Sequence, residues 1–332
     1  MAMINELAPN TADYHQGRLA YVPDDLLPKT IVGPIFEKAQ ETSLVLRLGE
    51  RIPVSYGETV IPVTTRRPEV GQVGTGTTNA LREGGLKPLS GTAWDSRSFS
   101  PIKLATIVTV SEEFARTNPQ GFYTKLQNDL AFAIGRGIDL AVFHGKRPDT
   151  GAALQGIDTD NVLNNTANVV DMDADTTNSV YDELITAYEM ASAGEFDFDG
   201  WAVDPRFRAR LIREGAERDA NGNLVNPAGI NFNGTVGNIL GFPSYYGRAV
   251  RGDLGAATAT PTRIIGGDFS QLRWGFADEI RYKISDQATL TDGVNTVSMW
   301  QTNQVALLVE VTFGWVVGDL DAFVKLTNPS GS

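Results

Sequence analysis

Between Thr64 and Ser100 the chain runs for 37 residues in which glycine and proline are frequent and apolar side chains are sparse. Arg66, Arg67, Arg82, Lys87 and Arg97 outnumber Glu69, Glu83 and Asp95 there. A stretch of this length with no core of its own is uncommon inside a compact domain unless it is bound to something. The flanking segments 44–63 (LVLRLGERIPVSYGETVIPV) and 102–110 (IKLATIVTV) are β-type, the first reading as two short strands around Gly49 and Gly57. The pattern predicts a projecting β-hairpin whose partner is another surface.

The first 35 residues pose the same problem. Pro9, Pro23, Pro28 and Pro34 keep the chain extended. Leu26, Leu27, Ile31, Ile35 and Phe36 would be exposed unless they met something else, so this segment reads as an arm.

Asn118-Pro119 suits a helix start, and Phe122, Leu126, Leu130, Ile134, Ile138 and Val142 then recur every four residues. The spacing predicts a helix of about 25 residues, roughly 37 Å long. Gly135 and Gly137 lie inside it and mark a close contact or a place where it bends. A second helix is expected around Val180, Leu184, Tyr188 and Ala191, a buried strand at 198–203, and a third helix capped by Asp204-Pro205 with Phe207, Leu211 and Ile212 inward. Asn221-Gly222 marks a tight turn. Strands are expected at 263–265, 280–284, 305–312 and 323–326. The fold class is α+β.

Composition excludes several chemistries. The 332 residues contain no cysteine, which removes disulfides, thiolate metal sites and a thiol nucleophile. No run is long and apolar enough to span a bilayer, and MAMINELAPN lacks the features of a signal peptide, so folding in a cytoplasm and no membrane are expected. The net charge of −12 without a basic block argues against holding nucleic acid through its phosphates. That charge is local: residues 1–150 carry 16 acids and 16 bases, and residues 151–200 carry eleven acids and no base.

Candidate chemistry is sparse. His15 and His144 are 129 residues apart outside any ligand motif, and a solvent-facing or helix-capping role is expected of each. Gly74 and Gly76 in VGTGTTNA are not followed by a helix that could face a phosphate. Asp171, Asp173 and Asp175 have the alternate spacing of calcium-loop ligands, but Thr176 replaces the turn glycine and Asp182 the bidentate glutamate; a solvated acidic loop is the competing reading. The neighbours Glu112-Glu113 and Asp278-Glu279 point apart on any regular element. No cofactor is implied.

The order of features is more specific than any motif. Arg82-Glu83-Gly84, KLATIVTVSEEF (103–114), DLAVFHGKRPDTGAALQGI (139–157), FDGWAVDPRFRARL (198–211), DANGNL (219–224), NILGFPSYYG (238–247), GGDFSQLRWGFADEI (266–280) and GDLDAFVKL (318–326) together resemble the Hong Kong 97-type major capsid proteins of tailed bacteriophages. The resemblance implies an N-terminal arm (1–35), a peripheral P domain begun by 36–63, an E-loop hairpin (64–100) lying across a neighbouring subunit, a P-domain spine helix within 101–151, an axial A domain (152–300) and P-domain strands and tail (301–332). It implies a virion shell protein, not an enzyme, that forms hexamers and pentamers of an icosahedral head in the bacterial host cytoplasm. Expected partners are further copies, a portal, possible scaffolding or decoration proteins, and packaged double-stranded DNA bound without sequence specificity. Any scaffold is expected to be a separate protein or absent.

The same resemblance makes Arg66, Arg67, Arg82, Glu83, Lys87, Arg97, Asn221 and Gly222 candidates for contacts between subunits. Some relatives join an E-loop lysine to a neighbour's asparagine beside a glutamate, and Lys87, Asn303 and Glu310 fall at the matching positions. The chemistry needs a neutral, buried amine. Two alternatives stand beside this reading: an encapsulin-type shell around protein cargo, and a soluble enzyme with an unrecognised site. The eleven acids of 151–200 are expected to lie away from the main overlaps between subunits.

Overall fold

The computed structural model describes residues 43–71, 87, 89–113, 119–172, 180–194, 196–214, 217–218, 224–225, 231–233, 236–291 and 296–328. Helix α1 (Leu44–Leu48) and strand β1 (Glu50–Arg51) lead into β2 (Thr59–Arg66), β3 (Ala93–Phe99) and β4 (Ile102–Ser111). Then come α2 (Pro119–His144), β5 (Val169–Asp171), α3 (Val180–Ser192), β6 (Gly200–Val203) and α4 (Arg208–Glu214). The strands β7 (Glu217–Arg218), β8 (Leu224–Val225), β9 (Asn231–Asn233), β10 (Val236–Ile239) and β11 (Phe242–Tyr246) precede β12 (Thr262–Gly267). The chain closes with β13 (Leu272–Ser285), β14 (Thr289–Thr291), β15 (Thr296–Ser298), β16 (Gln304–Val317) and β17 (Phe323–Thr327).

Helix α2 has 26 residues, close to the length that the four-residue apolar period predicts. Leu126, Leu130, Ile134, Ile138 and Val142 are buried, and from Ile138 to Phe143 the helix is buried on every side. Its end follows from local chemistry. Gly145 takes φ +61°, its N–H reaches the Ala141 carbonyl at 2.8 Å, and the Lys146 N–H reaches Leu140 at 3.4 Å, a left-handed C-terminal cap that suits glycine. The Asn118 cap lies outside the described residues. The helix is unbroken through Gly135 and Gly137, both buried. A Cβ on Gly137 would meet Leu104 Cδ1 at 3.6 Å, an ordinary contact. Gly137→Ala is therefore expected to stabilise the subunit by up to about 1 kcal/mol, read by urea denaturation; a loss of stability would mean that the site needs its glycine for a bend.

The strands form two main sheets. One has the order β1-β13-β16-β4, the other β5-β17-β12-β6-β11-β10-β9. Strands β6 and β12 are buried at every residue because the larger sheet is covered on both faces. Ala202, Ile265 and Phe323 join the core of α1, α2 and the four-stranded sheet. Trp201, Val203, Ile264, Val324 and Leu326 face the other way, into the core of α3 and α4. Strand pairing runs across residue 300: β13, before it, and β16, after it, are antiparallel partners over most of their length.

One expectation is overturned. Residues 44–48 form a helix, not a strand. The Ser43 hydroxyl accepts the Leu46 N–H at 3.3 Å, and the Asp139 carboxylate of α2 takes the Ser43 hydroxyl at 2.5 Å and the Leu44 and Val45 N–H groups at 3.1 Å each. A partner 94–96 residues away satisfies the N–H groups that a helix start leaves open. The other expected helices and strands are present, but β13 begins at Leu272, well before the expected 280–284, and β16 runs to Val317, past the expected 305–312; the Asp204 cap forms, its Oδ1 accepting the Arg206 N–H at 3.2 Å. The first turn after it, Pro205–Phe207, is a 3-10 turn that runs into α4.

Candidate assembly surfaces

The coreless segment of the sequence stands on a real hairpin. β2 and β3 pair antiparallel from Thr59↔Phe99 to Arg66↔Ala93, with a bulge between Thr64 and Arg66. The hairpin begins at Thr59, five residues before the composition changes. Ala93 to Ser96 are exposed whichever way they point, and only Phe99 is buried. Trp94 is 64% exposed, and Val70 and Leu89, between the strands, are fully exposed. Such an element gains little from its own chain.

Its root is held firmly. Gly275 and Gly314 oppose each other across β13 and β16. A Cβ on Gly314 would come within 2.7 Å of the Phe99 ring, and one on Gly275 would overlap the Ile52 carbonyl. The paired glycines thus form the notch into which Phe99 and the 52–54 segment pack. Beside it, Arg97 Nη1 lies 2.7 Å from Asp160 Oδ2. The turn that carries Asp160 is itself bonded to β16: Trp315 Nε1 donates to the Asn161 carbonyl at 2.7 Å, and the Val317 N–H donates to Asn161 Oδ1 at 3.0 Å. A partly exposed pair such as Arg97–Asp160 contributes at most about 1 kcal/mol. It joins β3 to the 159–161 turn.

Arg97, expected at a contact between subunits, is therefore engaged within its own chain by Asp160, one of the eleven acids of 151–200. Among the eight described acids of 151–200, seven are exposed and Glu183 alone is buried. Arg67 and Lys87 are exposed. Arg82, Glu83, Asn221, Gly222, Gly74 and Gly76 lie outside the described residues, as does the Arg66 side chain.

A second polar group sits on the four-stranded sheet. Glu310 of β16 is opposite Arg281 of β13, and Lys103 of β4 reaches Glu310 Oε2 at 2.6 Å. The Lys103 ammonium holds the Glu310 carboxyl below the usual range. Arg281 Nε pairs with Asp278 Oδ2 at 2.5 Å, and Tyr56, hydrogen-bonded to Asp278, has its hydroxyl pushed above the ordinary phenol value. The structure does not bring Lys87, Asn303 and Glu310 together in one chain. Asn303 stands seven residues from Glu310, about 24 Å along a strand. It adopts φ +49°, tolerated by asparagine, and its carbonyl accepts the Glu112 N–H at 2.9 Å, closing the end of the β4–β16 ladder.

His144 is not solvent-facing. It is buried, with Nε2 at 3.0 Å from the carbonyls of both Ala249 and Val250, so the ring donates from Nε2 and ties the end of α2 to the 248–251 turn. Burial pushes its pKa down to about 4 and keeps it neutral. His15, Asp173 and Asp175 lie outside the described residues, and Asp171 is on β5. Among the described residues no three metal-ligating side chains cluster, and no helix is long and apolar enough to cross a membrane. Two features escaped sequence reasoning. Asp139 was legible as a lone acid in an apolar helical run; Trp300, 74% exposed on the connection between β13 and β16, had no local signal.

Comparison with known proteins extends this architecture beyond one chain. Residues 24–328 match the model of the phage capsid family. The chain is 28% identical over 313 residues to a probable major capsid protein of Mycobacterium phage D29, covering 88% of this chain and 87% of that one. It is 23% identical to the major capsid protein of Staphylococcus phage 80alpha, covering 91% and 85%. A solved structure from Gordonia phage Cozz superposes with a TM-score of 0.69 at 30% identity, covering 87% of each chain. The α+β fold is of the Hong Kong 97 type. Because the match runs through both sheets, the long helix and the hairpin together, and not over one core alone, the chain belongs to the phage capsid family.

Proposed function

We propose that this protein is the major capsid protein of a tailed bacteriophage, and that its copies assemble into the hexamers and pentamers of an icosahedral head enclosing double-stranded DNA. The observation that carries the reading is the β2–β3 hairpin: a firmly rooted element, exposed on both faces from Ala93 to Ser96, in a chain of the phage capsid family. Its backbone and apolar groups need a second surface, and head-to-tail contacts between copies supply one while closing rings.

Within this reading, α2 is the spine of the P domain, the four-stranded sheet belongs with it, and α3, α4 and the larger sheet form most of the A domain. The hairpin is the E-loop, and Arg66, Arg67, Lys87 and Trp94 meet a neighbour. The protein's role is structural, with no catalytic step. Contact is noncovalent: the crosslink chemistry needs a buried, neutral amine, and Lys87 is exposed. DNA is enclosed without being gripped, in keeping with a net charge of −12; a portal and any scaffolding or decoration proteins complete the particle.

Electron microscopy of the purified protein across concentration and salt tests this. Uniform isometric shells are expected, and denaturing electrophoresis of them should give monomer bands. A persistent monomer in every condition would overturn the assignment, and covalent multimers would overturn the noncovalent contact.

A further inference from the structure

The turn that Asp204 caps at the end of β6 meets the 248–253 turn and the start of β12 in one charged corner. Arg206, Arg251 and Arg263 bring three guanidinium groups there, and Asp204 and Asp253 bring two carboxylates. Asp204 is 1% exposed and Arg263 6%. These groups act on one another. The charges of Arg206, Arg263 and Arg251 bear on Asp204, and those of Arg251, Asp204, Arg206 and Asp253 bear on Arg263.

Hydrogen bonds run round this corner as a closed circuit. The Thr260 N–H and hydroxyl both donate to the Arg251 carbonyl, at 2.8 and 2.9 Å. Arg263 Nη1 donates to the Thr260 carbonyl at 3.2 Å, and the Asp204 N–H donates to the Arg263 carbonyl at 2.8 Å. Asp204 Oδ1 accepts the Arg206 N–H at 3.2 Å. Arg206 Nη1 then pairs with Asp253 Oδ2 at 2.5 Å, two residues from where the circuit began. Three atoms are left over. Asp204 Oδ2, Asp253 Oδ1 and Arg251 Nε are buried, and none has a hydrogen-bond partner among the described residues. A buried polar atom without a partner carries its full desolvation cost.

The chemistry of the three atoms selects what completes them. Two are carboxylate acceptors and one is an N–H donor. An anion would be repelled by both carboxylate oxygens. A metal ion would face three guanidinium groups against two carboxylates, and no three metal-ligating side chains cluster among the described residues. A water molecule has two hydrogens to donate and a lone pair to accept with, and buried waters typically make about three hydrogen bonds.

We propose that one water molecule is bound in this corner, donating to Asp204 Oδ2 and Asp253 Oδ1 and accepting from Arg251 Nε. It joins the end of β6 to the 248–253 turn. His144 ties the same turn to the end of α2, so the water belongs to the joint between the long helix and the larger sheet. Burial pushes the Asp204 carboxyl above its ordinary value, and a donor at Oδ2 relieves that penalty.

A density map of the subunit, crystallised or in particles, fine enough to show ordered water tests this. One spherical peak is expected within about 3.2 Å of all three atoms. Arg251 bonded directly to Asp204 or Asp253 with no peak, a peak that misses one of the three atoms, or the larger density of an oxyanion each overturns the inference. In solution, the Arg251 Nε–H resonance, identified by its loss in Arg251→Lys, is expected to show cross-relaxation to water with the sign of a long-lived contact. Its absence from the folded subunit also overturns the inference, and neither result bears on the capsid reading.

Discussion

Replacing Asp139 with alanine is expected to destabilise the isolated subunit by about 3 kcal/mol. Three donors converge on this one carboxylate: the Ser43 hydroxyl and the N–H groups of Leu44 and Val45. Asp139 and Ser43 are 5% and 0% exposed. Each buried donor left without an acceptor costs roughly 1–3 kcal/mol. The loss should appear as a lower urea midpoint with an unchanged slope; a shift worth under about 1 kcal/mol would show that the α1 start is not held by Asp139.

The pH dependence gives a sharper signature. Burial, against the opposing pull of its hydrogen bonds from Ser43, Leu44 and Val45, raises the Asp139 pKa from 3.8 to about 6. The folded state then holds this proton more tightly than the unfolded chain. The stability it contributes is complete below pH 3.8 and is lost as the pH rises through about 6. About two pKa units correspond to ~3 kcal/mol. Asp139→Asn removes the titration, so the variant should gain on the parent by up to ~3 kcal/mol between acid and neutral pH. His144 acts with the opposite sign: its stability is present above pH 6.5 and lost as the pH falls through about 4. Only the difference between variant and parent isolates Asp139.

The second large effect concerns assembly. Replacing residues 67–92 with Asn-Gly joins Arg66 to Ala93, already ladder partners, through a two-residue turn that suits a hairpin. Every described residue between them is exposed, so the subunit should keep its fold and its thermal midpoint. Particle formation should be lost at protein concentrations at least a hundredfold above the parent's threshold, as seen by sedimentation. Particles from this variant would show that the segment is not an element of intersubunit contact.

How far the sequence alone reaches can be judged from single elements. Helix α2 was legible because one four-residue period of apolar side chains, with glycine at its end, encodes a buried face and a stop. The hairpin was legible from what it lacked. LVLRL was misread because five apolar residues fit a strand as well as a helix, and the deciding acceptor, Asp139, is distant in the chain. Arg97 was read as a residue for contacts between subunits, whereas the structure pairs it within its own chain with Asp160, on a turn that pattern alone could not bring near.

Sequence by itself determined the apolar period of α2, its glycine stop and the surplus of charge on 151–200, since each of these is a property of neighbouring residues or of composition. Tertiary structure decided which strands pair, that the larger sheet is buried on both faces, and that His144 and Asp139 titrate far from their ordinary values. These depend on groups brought together from distant parts of the chain, where burial and hydrogen bonding, not spacing, set the energy.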